Sequence, residues 1–351
     1  MQQKTSQKEL GIGMVGSGYM GKVYTEGLVK HNTRAKLVAV HGGTRGPALA
    51  ATHHVDYEPS YEKFLARSDI DAVIIATPHS GHLSQTLEAA AHGKHVLVEK
   101  PMAPNRHECD QMIAACKKAN VYLEVIQTLR FRATPSRAKE LIDAGTIGKV
   151  RMIRGTSVFT SYFDDHEGTG SWVIDPKNGG AFADMGVHNF DILRHFAGSD
   201  VKKVYSNLLS FSPYPVELSA MTQLAFANGV IAQQWMSFEL PSPSLPDSLH
   251  RYVIVGEKGI LDVDGYGKVM LGKDGKWEAV GEQPYFDPHG EPLQPTKIVA
   301  FYTQVQSFVD DILDHRPPTV PGSEGRAAVE VLDAARLSSA TGKAIDLPLP
   351  D

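Results

Sequence analysis

Short apolar runs alternate with helical patterns over the first third of the chain, and this alternation restricts the possible folds more than any other feature. The β-rich runs are Gly11–Val15, Lys36–Val40, Ala72–Ala76, His95–Val98 and Val121–Ile126. Strands that are apolar along their whole length are buried on both faces, which is typical of a parallel sheet covered by helices. The sequence therefore predicts a doubly wound α/β domain over residues 1–128.

The rest of the chain follows a different pattern. Strand-like runs dominate it, few helices lie between them, and turn signals such as Asn228-Gly229 and Lys258-Gly259 separate several of them. Two helical stretches, about 296–315 and 325–341, come last. The sequence predicts a second, α+β domain over residues 129–351, with a large, mostly antiparallel open sheet closed by these helices.

Charge and hydropathy exclude several partners. The 351 residues carry a formal net charge of −5, which argues against a general nucleic-acid binder because such proteins show a basic stripe. No uncharged apolar run reaches the roughly 18 residues that a membrane span needs. The amino-terminal residues are polar and lack the apolar core of a signal peptide. We therefore expect a cytoplasmic protein with no membrane partner.

Cysteines and histidines predict neither a disulfide nor a metal site. Cys109 and Cys116 lie seven residues apart in a predicted helix. That spacing is a rise of about 10.5 Å, beyond the Cα separation of about 4.4–6.8 Å in disulfides. The 15 histidines are scattered without a recognisable metal-ligand spacing. We expect free core thiols and no metal.

A G-x-G-x-x-G motif follows the first β-rich run and opens a helical pattern, which is the context of a dinucleotide-binding turn. In such turns the first glycine makes the tight bend and the second lets the backbone approach a pyrophosphate. The third lets the helix pack against the strand. The motif predicts a dinucleotide site formed by Gly16, Ser17, Gly18, Tyr19, Met20 and Gly21.

The second β-rich run bears on the choice of cofactor. An acid that binds the adenosine ribose is expected where this run ends. The chain instead continues His41-Gly42-Gly43-Thr44-Arg45, with no carboxylate. Thr44 and Arg45 could receive a 2′-phosphate, so the cofactor is NAD or NADP with a slight preference for NADP. Alternatively, Arg45 stacks on the adenine or is solvated.

Polar residues also follow the third and fourth runs. Ligands in this fold bind outside the carboxyl ends of the strands. We therefore expect cofactor contacts from Thr77, Pro78, His79, His82, Glu99 and Lys100. Lys100 would point toward the position of a nicotinamide. A solvated surface lysine, the usual state of this residue type, is the alternative.

Asp184 and His188 form the core of the densest polar constellation. If this segment is helical, the two residues are four apart and share a face. A histidine whose charged form is favoured by a carboxylate is suited to general acid–base catalysis. The alternative is an ordinary pair on a solvated helix.

In this order the motifs resemble the glucose–fructose oxidoreductase/inositol dehydrogenase/MocA (Gfo/Idh/MocA) family, over nearly the whole chain. The matching stretches are Gly16–Gly21, Ala76–His82, Gly93–Pro101, Gly145–Val150, Gly179–His188 and Gly325–Lys343.

The resemblance implies an NAD(P)-dependent oxidoreductase that transfers a hydride between nicotinamide and a carbinol of a sugar, sugar derivative or cyclitol. It implies that Lys100, Asp184 and His188 are catalytic, and that the open sheet supports a homodimer or homotetramer. Within this hypothesis the further substrate contacts are expected to be Arg130, Tyr162, Asp165, His166 and Trp172.

Two other functions stay open. Related proteins include redox-assisted glycosidases, in which bound NAD transiently oxidises the sugar before elimination and hydration. Such an enzyme needs an extra base, for which Tyr162 or His166 is the best candidate. A non-catalytic sugar or dinucleotide sensor is less favoured, because such a protein is expected to lose Lys100 or His188.

Overall fold

The computed structural model describes residues 9–160, 174–176, 179–243, 245, 250–284, 291 and 293–350. The helices in this part of the chain are α1 Tyr19–Lys30, α2 Gly46–Thr52, α3 Tyr61–Leu65, α4 His82–Ala91, α5 Arg106–Ala119, α6 Ala133–Asp143, α7 Gly180–Ala197, α8 Pro295–Leu313 and α9 Gly322–Thr341. The first strands are β1 Leu10–Val15, β2 Ala35–His41, β3 Asp56–Tyr57, β4 Ala72–Ile75, β5 His95–Val98, β6 Leu123–Val125, β7 Val150–Thr160 and β8 Val201–Leu209. The later strands are β9 Ser219–Phe226, β10 Ile231–Leu240, β11 His250–Gly256, β12 Ile260–Asp264, β13 Lys268–Lys273, β14 Lys276–Glu282 and β15 Ile345–Asp346.

The described residues form two compact units. The first draws on Met1–Ala103, His107–Ile126 and His289–Gly325. The second draws on Pro104–Arg106, Gln127–Pro288 and Arg326–Asp351.

The first unit contains a parallel sheet with the strand order β3-β2-β1-β4-β5-β6. Every residue of β1 and of β4 is buried, as expected for strands covered on both faces. The order reverses at β1 and β4, whose carboxyl ends are therefore adjacent. This confirms the predicted doubly wound fold, and it adds the two-residue strand β3, which was too short for the sequence to reveal.

Helix α8 belongs to the core of the first unit, although it lies near the end of the chain. Its buried residues Val305, Phe308, Val309 and Ile312 join the cluster that also contains Leu10, Ile12, Tyr24 and Leu28. The predicted division at residue 128 assigned this helix to the second domain. The structure differs because the apolar face of α8 packs on strands and helices from the start of the chain.

The second unit contains a nine-stranded sheet among its described residues, with the order β14-β13-β12-β11-β7-β10-β9-β8-β15. All neighbouring strands are antiparallel except β7 and β10, which are parallel. The prediction of a large, mostly antiparallel sheet is confirmed. Side chains on β9 alternate between buried and exposed, so one face of the sheet is open.

Two buried carboxyl groups meet in the first unit. Glu124 of β6 and Asp311 of α8 are 0% and 1% exposed. Asp311 accepts hydrogen bonds from the amide and the hydroxyl of Thr319 at 2.8 and 2.6 Å, and Arg316 lies 2.9 Å from it. Burial, with the neighbouring Asp311 charge, raises the pKa of Glu124 from 4.5 to about 8.

We expect this pKa to make the protein less stable as pH rises. In the unfolded chain Glu124 titrates near 4.5, whereas in the folded protein it titrates near 8, so the folded state binds the extra proton between these values. The stabilisation is complete below pH 4.5 and is lost progressively up to about pH 8. The slope of the unfolding free energy is at most about 1.4 kcal/mol per pH unit.

Glu124→Gln should remove this slope, because the amide cannot ionise. Urea unfolding of both proteins between pH 5 and pH 9 measures it, with the exposed Glu62→Gln as the matched control. Equal pH dependence in wild type and Glu124→Gln would contradict the assignment.

Both cysteines are buried and free, as predicted. None of the helices within the described ranges combines the length and hydropathy that a membrane span requires.

Candidate active site

The G-x-G-x-x-G turn lies where the motif predicts, between the end of β1 and the start of α1. Gly16 has a φ of +110°, which favours glycine, and a Cβ there would lie 2.4 Å from the carbonyl oxygen of Ala76. A Cβ at Gly21 would lie 2.5 Å from the carbonyl oxygen of Gly16. The first and third glycines are therefore required by close backbone contacts inside the protein.

Gly18 is different, because the space in front of it is open. A Cβ at this position would meet only Arg45 Nη2, at 3.9 Å. Gly18 is also the N-cap of α1 and has no side chain to cap the first amides of the helix. An open position before uncapped helix amides fits the close approach of a pyrophosphate.

The loop after β2 reaches the same turn. Gly42 and Gly43 have positive φ values of 84° and 73°, and a Cβ at Gly43 would lie 2.3 Å from Ser17 Oγ. Thr44 and Arg45 are exposed beyond them. β2 ends at His41, whose Nδ1 lies 2.8 Å from the carbonyl oxygen of Glu58. No carboxylate ends this strand, and the cation Arg45 lies beside the glycine turn, with its Nη2 3.9 Å from the position of a Cβ at Gly18.

The turn after β4 holds Thr77, Pro78 and His79. The Thr77 hydroxyl donates to Gln85 Oε1 at 2.6 Å, and His79 is buried. These residues lie at the carboxyl edge of the sheet, as predicted. Their contact with a cofactor stays a prediction.

His82 occupies a different position from the one expected. Its ring is fully buried, and its Nε2 lies 2.9 Å from the carbonyl oxygen of Thr77. Its Nδ1 faces the carbonyl oxygens of Pro101 and Met102 at 3.1 and 3.3 Å. Burial lowers the pKa of this imidazole. A ring that meets carbonyl oxygens at both nitrogens has no nitrogen left for a dinucleotide, so we assign His82 to the support of the two turns.

Glu99 and Lys100 follow β5 directly. Glu99 is buried, and it accepts hydrogen bonds from the Tyr24 hydroxyl at 2.5 Å and from the Lys100 amide at 2.9 Å. Burial, followed by the charge and hydrogen bond of Glu99, raises the pKa of Tyr24. Lys100 itself is half-buried. Tyr24 thus takes part in shaping the Lys100 turn, and no sequence motif had indicated it.

Helix α7 carries Asp184 and His188 in the second unit. The helix is buried along nearly its whole surface, and the half-buried residues form a narrow stripe: Asp184, Met185, His188 and His195. This excludes the alternative of a solvated helix, since the polar pair lies on the partly open side of a core helix. Asp184 and His188 share this stripe, as their spacing predicts.

Close packing explains the glycine within α7. A Cβ at Gly186 would lie 3.0 Å from Leu332 Cδ1 of α9. At the start of the helix, Gly179 and Gly180 have φ values of 78° and 73°. The chain therefore needs glycine at these positions for packing and for the turn into the helix.

Arg130 was expected to contact substrate. Its Nε and Nη2 donate to the two carboxylate oxygens of Asp191 at 2.7 and 2.6 Å. The side chains are 10% and 1% exposed. This bidentate pair joins the segment before α6 to α7, so the structure gives Arg130 an anchoring role, and a substrate contact stays a prediction. Tyr162, Asp165, His166 and Trp172 lie outside the described residues.

Within the described ranges, no three His, Cys, Asp or Glu side chains come together in a group that could hold a metal ion.

Two family models match this chain. Residues 10–127 match the model of the oxidoreductase family with an NAD-binding Rossmann fold. Residues 136–262 match the Gfo/Idh/MocA C-terminal domain. The chain belongs to the Gfo/Idh/MocA family of oxidoreductases.

Curated members of the family differ in how much of the chain they match. The scyllo-inositol 2-dehydrogenase (NAD(+)) of Bacillus subtilis is 30% identical over 347 residues, covering 95% of each chain. The uncharacterised oxidoreductase YrbE of B. subtilis is 30% identical over 64% of this chain and 66% of its own length. The 2,7-anhydro-N-acetylneuraminate hydratase of Mediterraneibacter gnavus is 29% identical over 56% of this chain and 52% of its own.

Solved structures of Gfo/Idh/MocA oxidoreductases share the fold. An oxidoreductase from Agrobacterium radiobacter, in complex with NAD+, L-tartaric acid and magnesium, has a TM-score of 0.86 at 20% identity, over 97% of this chain and 98% of its own. A levoglucosan dehydrogenase in complex with NADH and levoglucosan has a TM-score of 0.83 at 21% identity, over 97% and 100%.

Proposed function

We propose that this chain is an NAD(P)-dependent dehydrogenase that interconverts a carbinol and a carbonyl of a sugar, sugar derivative or cyclitol. The observation that carries the proposal is the stripe on α7, where Asp184 and His188 are half-buried on an otherwise buried helix. A polar pair at the open side of a core helix is suited to proton transfer to a bound neutral substrate. One relative that matches over 95% of this chain is a dehydrogenase for scyllo-inositol.

The proton chemistry is assigned to three residues. His188 takes the proton of the substrate hydroxyl during oxidation and returns it during reduction, because histidine changes charge near neutral pH. The Lys100 ammonium donates a hydrogen bond to the reacting oxygen and stabilises the negative charge that develops there. Asp184 orients His188 or binds a neighbouring hydroxyl. A nicotinamide, when bound, supplies or accepts the hydride.

Binding of the dinucleotide is assigned to the glycine turn. The open position at Gly18 receives the pyrophosphate, and the exposed Thr44 and Arg45 lie where β2 ends. In the absence of a carboxylate at that strand end, we propose a slight preference for NADP, since a guanidinium matches a 2′-phosphate. Tyr19, Met20, Thr77, Pro78 and His79 complete the proposed contacts.

A panel of substrates tests the activity. We expect scyllo-inositol, D-glucose or a related polyol to reduce NAD or NADP continuously, which is followed by absorbance of the reduced nicotinamide. No reduction of either cofactor by any polyol or sugar in the panel would contradict a dehydrogenase. Running each compound with both cofactors decides the NADP preference.

A redox-assisted lyase, glycosidase or hydratase is the second candidate, and the match to the 2,7-anhydro-N-acetylneuraminate hydratase favours keeping it. Conversion of 2,7-anhydro-N-acetylneuraminate or of an aryl glycoside without net accumulation of reduced cofactor would establish this function. A non-catalytic sensor is the least favoured alternative, because Lys100 and His188 are both present.

The homodimer or homotetramer and the cytoplasmic location stay predictions. Support for assembly comes from the open face of the nine-stranded sheet, where Tyr205, Met221, Ile231 and Met152 are exposed on neighbouring strands. Large apolar side chains exposed on an open sheet face favour contact with a second copy.

A further inference from the structure

A cluster of five polar side chains is buried beneath α7 in the second unit. Its members are Ser157 of β7, Asn189 of α7, Gln234 of β10, and His250 and Tyr252 of β11. None is more than 4% exposed. The three strands are neighbours, and the register places His250 directly opposite Ser157. We call this group the polar cluster.

The Ser157 hydroxyl is the centre of the polar cluster. It donates to Asn189 Oδ1 at 2.7 Å, which uses its single hydrogen. It therefore accepts from His250 Nδ1 at 2.8 Å and from Gln234 Nε2 at 3.3 Å. His250 is then a neutral imidazole with its proton on Nδ1, in agreement with burial, which lowers its pKa to about 3.

The strands leave room for this arrangement. Gly155 lies opposite Gln234 on one side and Tyr252 on the other. A Cβ at Gly155 would lie 2.0 Å from Gln234 Oε1, so the glutamine amide occupies the space that a side chain would fill. The glycine thus allows Gln234 to reach Ser157.

Hydrogen bonds within the polar cluster fix α7 in a way that its apolar contacts do not. Phe182, Phe190 and Phe196 are buried on the helix, but apolar contacts have no preferred direction. The bond between Ser157 and Asn189 is short and directional. Consecutive helix residues are separated by a fixed rotation of about 100°, so holding Asn189 also sets the direction of His188.

We propose that Asn189, held by Ser157, is a positioning residue that aims His188 at the substrate. This inference rests on the proposed role of His188 as acid and base. The bidentate pair of Asp191 with Arg130 is a second directional contact, two residues further along the helix. Neither Ser157 nor Asn189 is open to substrate, since both are 0% exposed.

The experiment compares kcat and KM in Ser157→Ala and Asn189→Leu, using the fastest substrate among scyllo-inositol, D-glucose and 2,7-anhydro-N-acetylneuraminate. We expect kcat to fall about 10- to 100-fold, because small displacements of a catalytic group have effects of this size. KM for substrate and for dinucleotide should change by less than about threefold, because neither residue binds them.

Ser206→Ala is the matched control. Ser206 is a buried serine on the same sheet whose hydroxyl lies 2.7 Å from that of Thr222. Its loss should lower the melting temperature without changing kcat. Should Ser157→Ala fail to fold, Ser157→Cys keeps nearly the same size and replaces the hydroxyl by a weak donor. It should show the same kcat loss at unchanged KM.

A kcat in the folded Ser157 and Asn189 variants equal to that of Ser206→Ala would overturn the positioning role. His188→Gln, assayed in parallel, distinguishes a failure of the catalytic role of His188 from a failure of the positioning role of Ser157 and Asn189. If that variant keeps wild-type turnover, the proposed role of His188 as acid and base is wrong, whereas the dehydrogenase activity itself is tested by the substrate panel. If it is inactive while the Ser157 variants match the control, only the positioning role is wrong.

Discussion

Replacing Lys100 by alanine is expected to reduce turnover by about 10³-fold or more, because the variant loses the cation at the reacting oxygen and a group able to relay its proton. Binding of NAD and NADP should change by less than about threefold, since the glycine turn is built from backbone and stays intact. Steady-state rates and isothermal titration with each dinucleotide measure the two effects separately.

Lys94→Ala is the control for this variant. Lys94 precedes β5, whereas Lys100 follows it, so the two lysines lie at opposite ends of the same strand. Lys94 Nζ donates to the carbonyl oxygens of Arg67 and Ile70, both at 2.8 Å. Its replacement should lower stability and leave kcat unchanged. Turnover retained by Lys100→Ala would refute the catalytic assignment, and loss of dinucleotide binding would move Lys100 to the cofactor site.

His188→Gln is expected to lower kcat at pH 7 by about 10²- to 10³-fold, because glutamine keeps a polar side chain but cannot exchange a proton. Activity of the variant should rise with pH, since hydroxide can then remove the substrate proton. A pH series of kcat measures both effects.

His195→Gln provides the comparison on the same helix. His195 is half-buried on the same stripe of α7, two turns further along, and no role in the reaction is assigned to it. The kcat of His195→Gln should stay within about threefold of wild type, as for substitutions remote from the chemistry. Equal losses in the two variants would mean that α7 responds to any substitution on this stripe, and the assignment of His188 would fail.

The sequence predicted the first sheet well because burial on both faces leaves a simple pattern. β1 and β4 are apolar and fully buried, and both were identified within one residue of their ends. The strand-like runs that the sequence indicates in the second half end at Val263, so β14 was not among them; it is a mostly exposed edge strand with the sequence KWEAVGE. Such a strand has neither apolar alternation nor a continuous apolar run, so its pairing with β13 decides its conformation.

In the candidate site, too, local geometry could be predicted from the sequence and contacts between distant residues could not. The i, i+4 spacing of Asp184 and His188 predicted that they share a helical face, because helix geometry is local. The ion pair of Arg130 with Asp191 joins residues 61 positions apart, so no local pattern could reveal it. His82 was misplaced for a similar reason: a motif shows which turn a side chain follows but not whether its ring faces a ligand or the backbone.

The position of α8 has a consequence for how the chain is made. The core around Tyr24 and Leu28 includes Phe308 and Ile312, which leave the ribosome only after most of the second unit has been synthesised. Domains at the start of a chain ordinarily fold first during synthesis. Here the first unit stays incomplete until α8 has been made, and the second unit also needs Arg326–Asp351. Nascent chains therefore expose unfinished apolar surface of both units until synthesis is nearly complete.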